Sequence, residues 1–154
     1  KSLNKNSIGI EISNPGHEYN YINFKKKQIQ SILYLSKSLI KKYKIKSINI
    51  LGHSDIAPFR KKDPGEKFPW KYLAKLGVGR WHSLSNKTLK KNRMKKIHIN
   101  EEKIFYKKLF EIGYSKKVLN KKTLVSAFQR RYRQDLINGK IDQECLLISK
   151  NLAK

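Results

Sequence analysis

His53, Lys61 and Asp63 fall within one short stretch, His-Ser-Asp-Ile-Ala-Pro-Phe-Arg-Lys-Lys-Asp-Pro-Gly, residues 53–65. A neutral imidazole and a carboxylate suit Zn²⁺, which takes nitrogen and oxygen donors. Pro58 and Pro64 stiffen the stretch, so its ends can return to a fixed geometry. Lys61 sets a positive charge beside such a centre, where it can stabilise a developing oxyanion. Glu11 stands in Ser-Ile-Gly-Ile-Glu-Ile, on the same face as Ser7 and Gly9 if the segment alternates. Next to a metal it would be the natural general base for a bound water. Plainer readings stand beside each of these. They are a structural or surface histidine, an ordinary Asp-Pro-Gly turn, one lysine among thirty, and a solvent-facing strand glutamate.

The elements that must position these residues come next. Residues 7–12 alternate Ile8, Ile10 and Ile12, the period of a strand, and Asn14-Pro15-Gly16 ends it. Residues 25–43 place Ile29, Ile32, Leu33, Leu39, Ile40 and Tyr43 at helical spacing, with lysines opposite. Residues 48–51 are a short apolar run that reads as a buried strand, so His53 follows where the chain leaves a sheet. Strand, helix, strand in this span predicts a βαβ unit with both strands in one sheet. Residues 52–69 predict a long working loop, and residues 70–76 a short helix closed by Gly77.

Residues 83–99 carry six basic side chains and no acid, and read as a basic linker. Three helical patterns follow, at about 101–112, 121–133 and 142–153. Leu124, Val125, Phe128 and Tyr132 share one face, and Ile141, Cys145, Ile148 and Leu152 another. Asn138-Gly139 predicts the turn between the last two helices, and Asp142 an N-cap.

Composition excludes several classes. No run of 18 apolar residues exists, so no membrane span is expected. A single cysteine, Cys145, excludes an intrachain disulfide and a cysteine-rich metal knot. The net charge of +25 invites nucleic acid, but only six of the 36 basic residues are arginine, and base and phosphate recognition favour arginine forks. No specific nucleic-acid partner is expected.

Taken in order, Asn6–Gly16, Leu51-Gly-His-Ser-Asp-Ile-Ala-Pro58, Arg60-Lys-Lys-Asp-Pro-Gly65, Phe68-Pro-Trp70 and Gly77-Val-Gly-Arg-Trp81 resemble the type-2 N-acetylmuramoyl-L-alanine amidases, which are related in fold to peptidoglycan-recognition proteins. The resemblance implies a mixed α/β sheet flanked by helices over residues 1–82. It implies zinc as cofactor, with His53 and Asp63 as ligands. It assigns catalysis to Glu11 and Lys61, and substrate contact to Asn14 and His17. The reaction implied is hydrolysis of the amide between muramic acid, or its anhydro form, and L-alanine, in peptidoglycan or muropeptides. Residues 124–133 and 138–142 resemble a three-helix peptidoglycan-binding module, expected over residues 100–154.

The family's first zinc histidine has no counterpart here, so an N-terminal segment of the same protein is expected to supply it. His82 and His98 read as surface residues. A wall substrate implies the periplasm or cell envelope, with the cytoplasm as the alternative. The alternative function is a non-catalytic peptidoglycan-binding protein derived from an amidase.

Overall fold

The computed structural model describes residues 3–154. Among them are seven α-helices and no strand. They are α1 (Lys26–Tyr43), α2 (His53–Ile56), α3 (Trp70–Lys75), α4 (Asn86–Asn92), α5 (Ile99–Glu111), α6 (Lys121–Tyr132) and α7 (Gln143–Leu152). None is long and apolar enough to cross a membrane.

The expected mixed sheet is therefore corrected. Residues 7–12 carry no ladder pairing, and Ser47–Asn49 forms a 3-10 turn instead of a strand. A strand is defined by the neighbour that takes up its N–H and C=O groups. Alternation in the sequence supplies the side chains of a strand but not that neighbour. Side chains expected in a sheet interior are accordingly open to solvent: Ile8 is 52% exposed, Ile48 41% and Leu51 47%.

The helices follow the sequence patterns and their caps. Gln28 Oε1 accepts from the Lys25 N–H at 2.9 Å and closes the start of α1. Asn120 accepts from the Thr123 N–H at 2.9 Å, and Asp142 from the Cys145 N–H at 2.9 Å. Each satisfies a backbone donor that a helix start leaves open. Gly77 follows α3 with φ +86°, the left-handed stop that glycine adopts most easily.

Two apolar clusters result. The smaller is built on Ile29, Ile32, Phe68, Trp70, Leu73 and Val78, and it seats α1 against α3 and the loop before it. The larger joins α4 to α7 around Phe105, Leu109, Leu124, Phe128, Ile148 and Leu152. Trp81 packs against both. The basic segment 83–99 holds α4, whose Leu89 is buried in the larger cluster. Arg93, just past α4, forms a two-pronged ion pair with the fully buried Glu144 of α7, at 2.7 and 2.8 Å.

Candidate functional site

The loop that carries His53 is pinned at both ends. Gly52 begins α2 where no side chain fits: a Cβ would lie 2.7 Å from Pro64 Cδ and 3.2 Å from Trp70 Cζ2. The Gly52 N–H donates to Asp55 Oδ2 at 2.8 Å, and the Ser54 N–H donates to the Asp63 carbonyl at 2.9 Å. The second bond holds the start of the loop against its end. His53 and Asp63, ten residues apart in sequence, therefore meet, with Nδ1 to Oδ2 at 3.0 Å. Their side chains remain 44% and 59% exposed.

Two donors of a tetrahedral ion with bonds near 2.0–2.1 Å lie about 3.3 Å apart. The observed pair is within a few tenths of an ångström of that spacing. An imidazole and a carboxylate thus match two corners of a zinc shell. Among the described residues no group of three His, Cys, Asp or Glu side chains gathers to hold a metal ion.

A second loop is latched to the first. Tyr21 donates its hydroxyl to the Pro64 carbonyl at 2.7 Å and accepts from the Lys67 N–H at 2.9 Å. Burial pushes this hydroxyl up to about 12, so it stays protonated and keeps donating. His17 stacks beside Tyr21, with ring centroids 4.4 Å apart, and its Nε2 meets Glu66 Oε2 at 3.0 Å. Burial resists ionisation of Glu66. The hydrogen bond from His17, backbone contacts and the nearby Arg130 outweigh it and hold the carboxyl below its usual range. Gly65, at φ +81°, leaves the space in which Tyr21 and His17 lie.

The remaining predicted residues are placed as follows. Asn14 spends its side chain on its own loop, donating to the Ile22 carbonyl and accepting from the Gly16 N–H, each at 3.0 Å. Glu11 is exposed, with no hydrogen bond or ion pair to the described residues. Lys61 is half-buried and Lys62 exposed. The Lys61 N–H donates to the Ala57 carbonyl at 2.9 Å, which fixes its backbone within the loop. His82, expected at the surface, is instead buried at 7% exposure.

Sequence reasoning missed Tyr21, Asp55 and Glu66. Asp55 had a local signal, a carboxylate three residues after Gly52 where a helix begins. Tyr21 and Glu66 had none, because their partners lie more than 40 residues away.

Residues 1–66 match the family model described as N-acetylmuramoyl-L-alanine amidase. The N-acetylmuramoyl-L-alanine amidase AmiD of Escherichia coli (strain K12) is 34% identical over 160 residues, covering 97% of this chain and 58% of that protein. The 1,6-anhydro-N-acetylmuramyl-L-alanine amidase AmpD of Enterobacter cloacae is 39% identical over 64 residues, 42% of this chain and 32% of that protein. The solved complex of AmiD from E. coli with anhydro-N-acetylmuramic acid-L-Ala-D-gamma-Glu-L-Lys superposes with a TM-score of 0.74 at 32% identity. It covers 87% of this chain and 54% of that one. AmpDh3 from Pseudomonas aeruginosa, in complex with anhydromuramic pentapeptide, gives a TM-score of 0.71 at 26% identity, over 86% of this chain and 54% of that one. The chain thus spans little more than half the length of the fullest of these matches, and its residues 1–66 are similar to the N-acetylmuramoyl-L-alanine amidase family.

Proposed function

We propose that this chain is part of a zinc-dependent hydrolase. Its reaction is cleavage of the amide between N-acetylmuramic acid, or its anhydro form, and L-alanine in peptidoglycan or muropeptides. The observation that carries the reading is the His53–Asp63 pair, 3.0 Å apart and open to solvent, inside the segment that matches the amidase family. The substrates named in the complexes of AmiD and AmpDh3 support the same bond as the target.

His53 and Asp63 would hold the ion. When bound, zinc supplies Lewis-acid polarisation of a carbonyl and a water of lowered pKa. Glu11 takes a proton from the attacking water and returns it to the departing alanine nitrogen. The new C–O bond replaces the C–N bond, leaving a lactyl carboxylate and a free amine. Lys61 faces the negative charge that builds on the carbonyl oxygen. Asn14 and His17 shape the substrate side. The third metal donor belongs, on this reading, to an N-terminal segment of the same protein. Residues 1–82 are its catalytic part, 83–99 a basic connection and 100–154 a wall-binding unit. On this reading the protein acts in the periplasm or cell envelope, with the cytoplasm as the alternative.

The test is muropeptide cleavage by the chain supplied with that N-terminal segment, followed by mass spectrometry of the products. Cleavage should stop with a chelator, return with Zn²⁺ and be lost in His53→Ala. Muropeptide binding without cleavage in the zinc-loaded protein would replace this reading with that of a non-catalytic wall binder.

A further inference from the structure

Arg131, on α6, is 2% exposed and reaches from its own helix, where the Tyr132 ring lies 5.5 Å away, to residues beside the His53 loop. Its guanidinium covers the face of Trp70 at 3.2 Å from the ring centroid. Nη2 donates to the Ile50 carbonyl at 3.1 Å, and Nη1 lies 3.8 Å from Asp55 Oδ2. Gly79 makes room for it, since a Cβ there would be 3.3 Å from Nη2. Asp55 is a node. Its Oδ2 also accepts from the Gly52 N–H at 2.8 Å, and its Oδ1 accepts from the Tyr114 hydroxyl at 2.7 Å. Ile50, Gly52 and Asp55 flank or form the turn that presents His53.

Other contacts run the same way. Phe59 of the loop packs against the larger helical cluster. Gln134 donates to the Phe68 carbonyl at 2.7 Å, and Arg130 Nε lies 3.9 Å from Glu66, the partner of His17. Arg131 does not form a fully bonded ion pair: its Nε and Nη1 have no hydrogen bond. A buried cation left partly unbonded is a poor source of stability. Its value lies in the geometry that it imposes.

We propose that Arg131 is a positioning residue which, through Asp55 and the Ile50 carbonyl, fixes the turn that sets His53 opposite Asp63. The C-terminal helices are then a working part of the metal site and not only an appendage that binds wall. The proposal rests on the reading of His53 and Asp63 as metal donors.

The experiment compares Arg131→Met, Arg131→Lys, Tyr114→Phe and Leu109→Ala. Leu109 is fully buried in the helical cluster, so Leu109→Ala lowers stability without removing any side-chain hydrogen bond or ion pair to the loop. Amide hydrogen exchange is read on the metal-free chain at Gly52, Ser54 and Ala57. Zn²⁺ affinity, kcat and KM are read with the N-terminal segment supplied. Arg131→Met should speed exchange in this turn while α7 stays protected. Zn²⁺ affinity should fall about tenfold, the scale seen when a group supporting metal ligands is lost, and kcat should fall while KM holds. Arg131→Lys should recover part of both losses, and Leu109→Ala should produce neither.

If Arg131→Met does not fold, Tyr114→Phe carries the test, because it removes only one donor to Asp55. Its Zn²⁺ affinity should fall about threefold, less than the roughly tenfold loss in Arg131→Met because Asp55 keeps its other contacts. Unchanged exchange and affinity in the folded Arg131 and Tyr114 variants would overturn the proposal, as would an equal loss in Leu109→Ala. A wild-type protein that takes up no Zn²⁺ would instead sink the functional reading, while the exchange measurement would still decide what Arg131 does to the turn.

Discussion

Gly65→Ala tests whether the two loops of the site are held as one piece. Gly65 sits at φ +81°, and an added Cβ would lie 2.6 Å from the Tyr21 hydroxyl and 2.8 Å from His17 Cε1. A left-handed conformation costs an L-residue about 1–2 kcal/mol. The Tyr21 hydroxyl cannot simply swing aside, because it bonds both the Pro64 carbonyl and the Lys67 N–H. Losing two such bonds costs about 1 kcal/mol each. The substitution should therefore destabilise by about 3–4 kcal/mol. With an m-value of about 2 kcal/mol/M, that moves a urea midpoint down by about 1.5–2 M. Repeating Gly65→Ala in a Tyr21→Phe background isolates the hydroxyl. There the hydroxyl's share of about 2 kcal/mol should drop out, while the left-handed backbone and the close approach to His17 remain. An equal cost in both backgrounds would refute the reasoning, since Tyr21 would then have no part in it.

Glu144→Gln removes the buried charge that Arg93 grips with two bonds. Breaking a buried pair in this way costs about 3 kcal/mol or more, read as a fall in melting temperature of about 6–12 °C; a shift under 2 °C would contradict it (about the effect of a surface change). His82 introduces a pH dependence. Burial, followed by the charge of Lys71, pushes its pKa down from 6.5 to about 4. The unfolded imidazole takes up a proton before the folded one does, so stability is complete above pH 6.5 and drains as pH falls towards 4. The loss is at most about 3 kcal/mol, and denaturant melts of His82→Phe should lack that slope. In the zinc-loaded protein Lys61→Ala should lower kcat about tenfold or more with little change in KM, while Lys62→Ala stays near wild type. Equal losses would show that bulk charge matters and not position.

Local information settled much of this molecule. Helix spacing placed α1 and α5 to α7 within a residue or two, because an amphipathic stripe and its cap are written into neighbouring residues. Asp142 as a cap and Gly77 as a stop follow from the same short-range rules. The stretch from His53 to Asp63 was legible as a chemical unit because its donors lie in one loop, which a single backbone bond from Ser54 to Asp63 closes. Tertiary structure decided the rest. A strand needs a partner that alternation cannot supply, so residues 7–12 and 48–51 form no strand ladder among the described residues. The burial of His82, the grip of Arg93 on Glu144 and the path from Arg131 through Asp55 to His53 join residues far apart in the chain. Isolated in sequence, Arg131 is one basic residue among 36. Only packing gives it Trp70 on one side and Asp55 on the other, because burial and pairing are properties of the folded surroundings and not of the side chain.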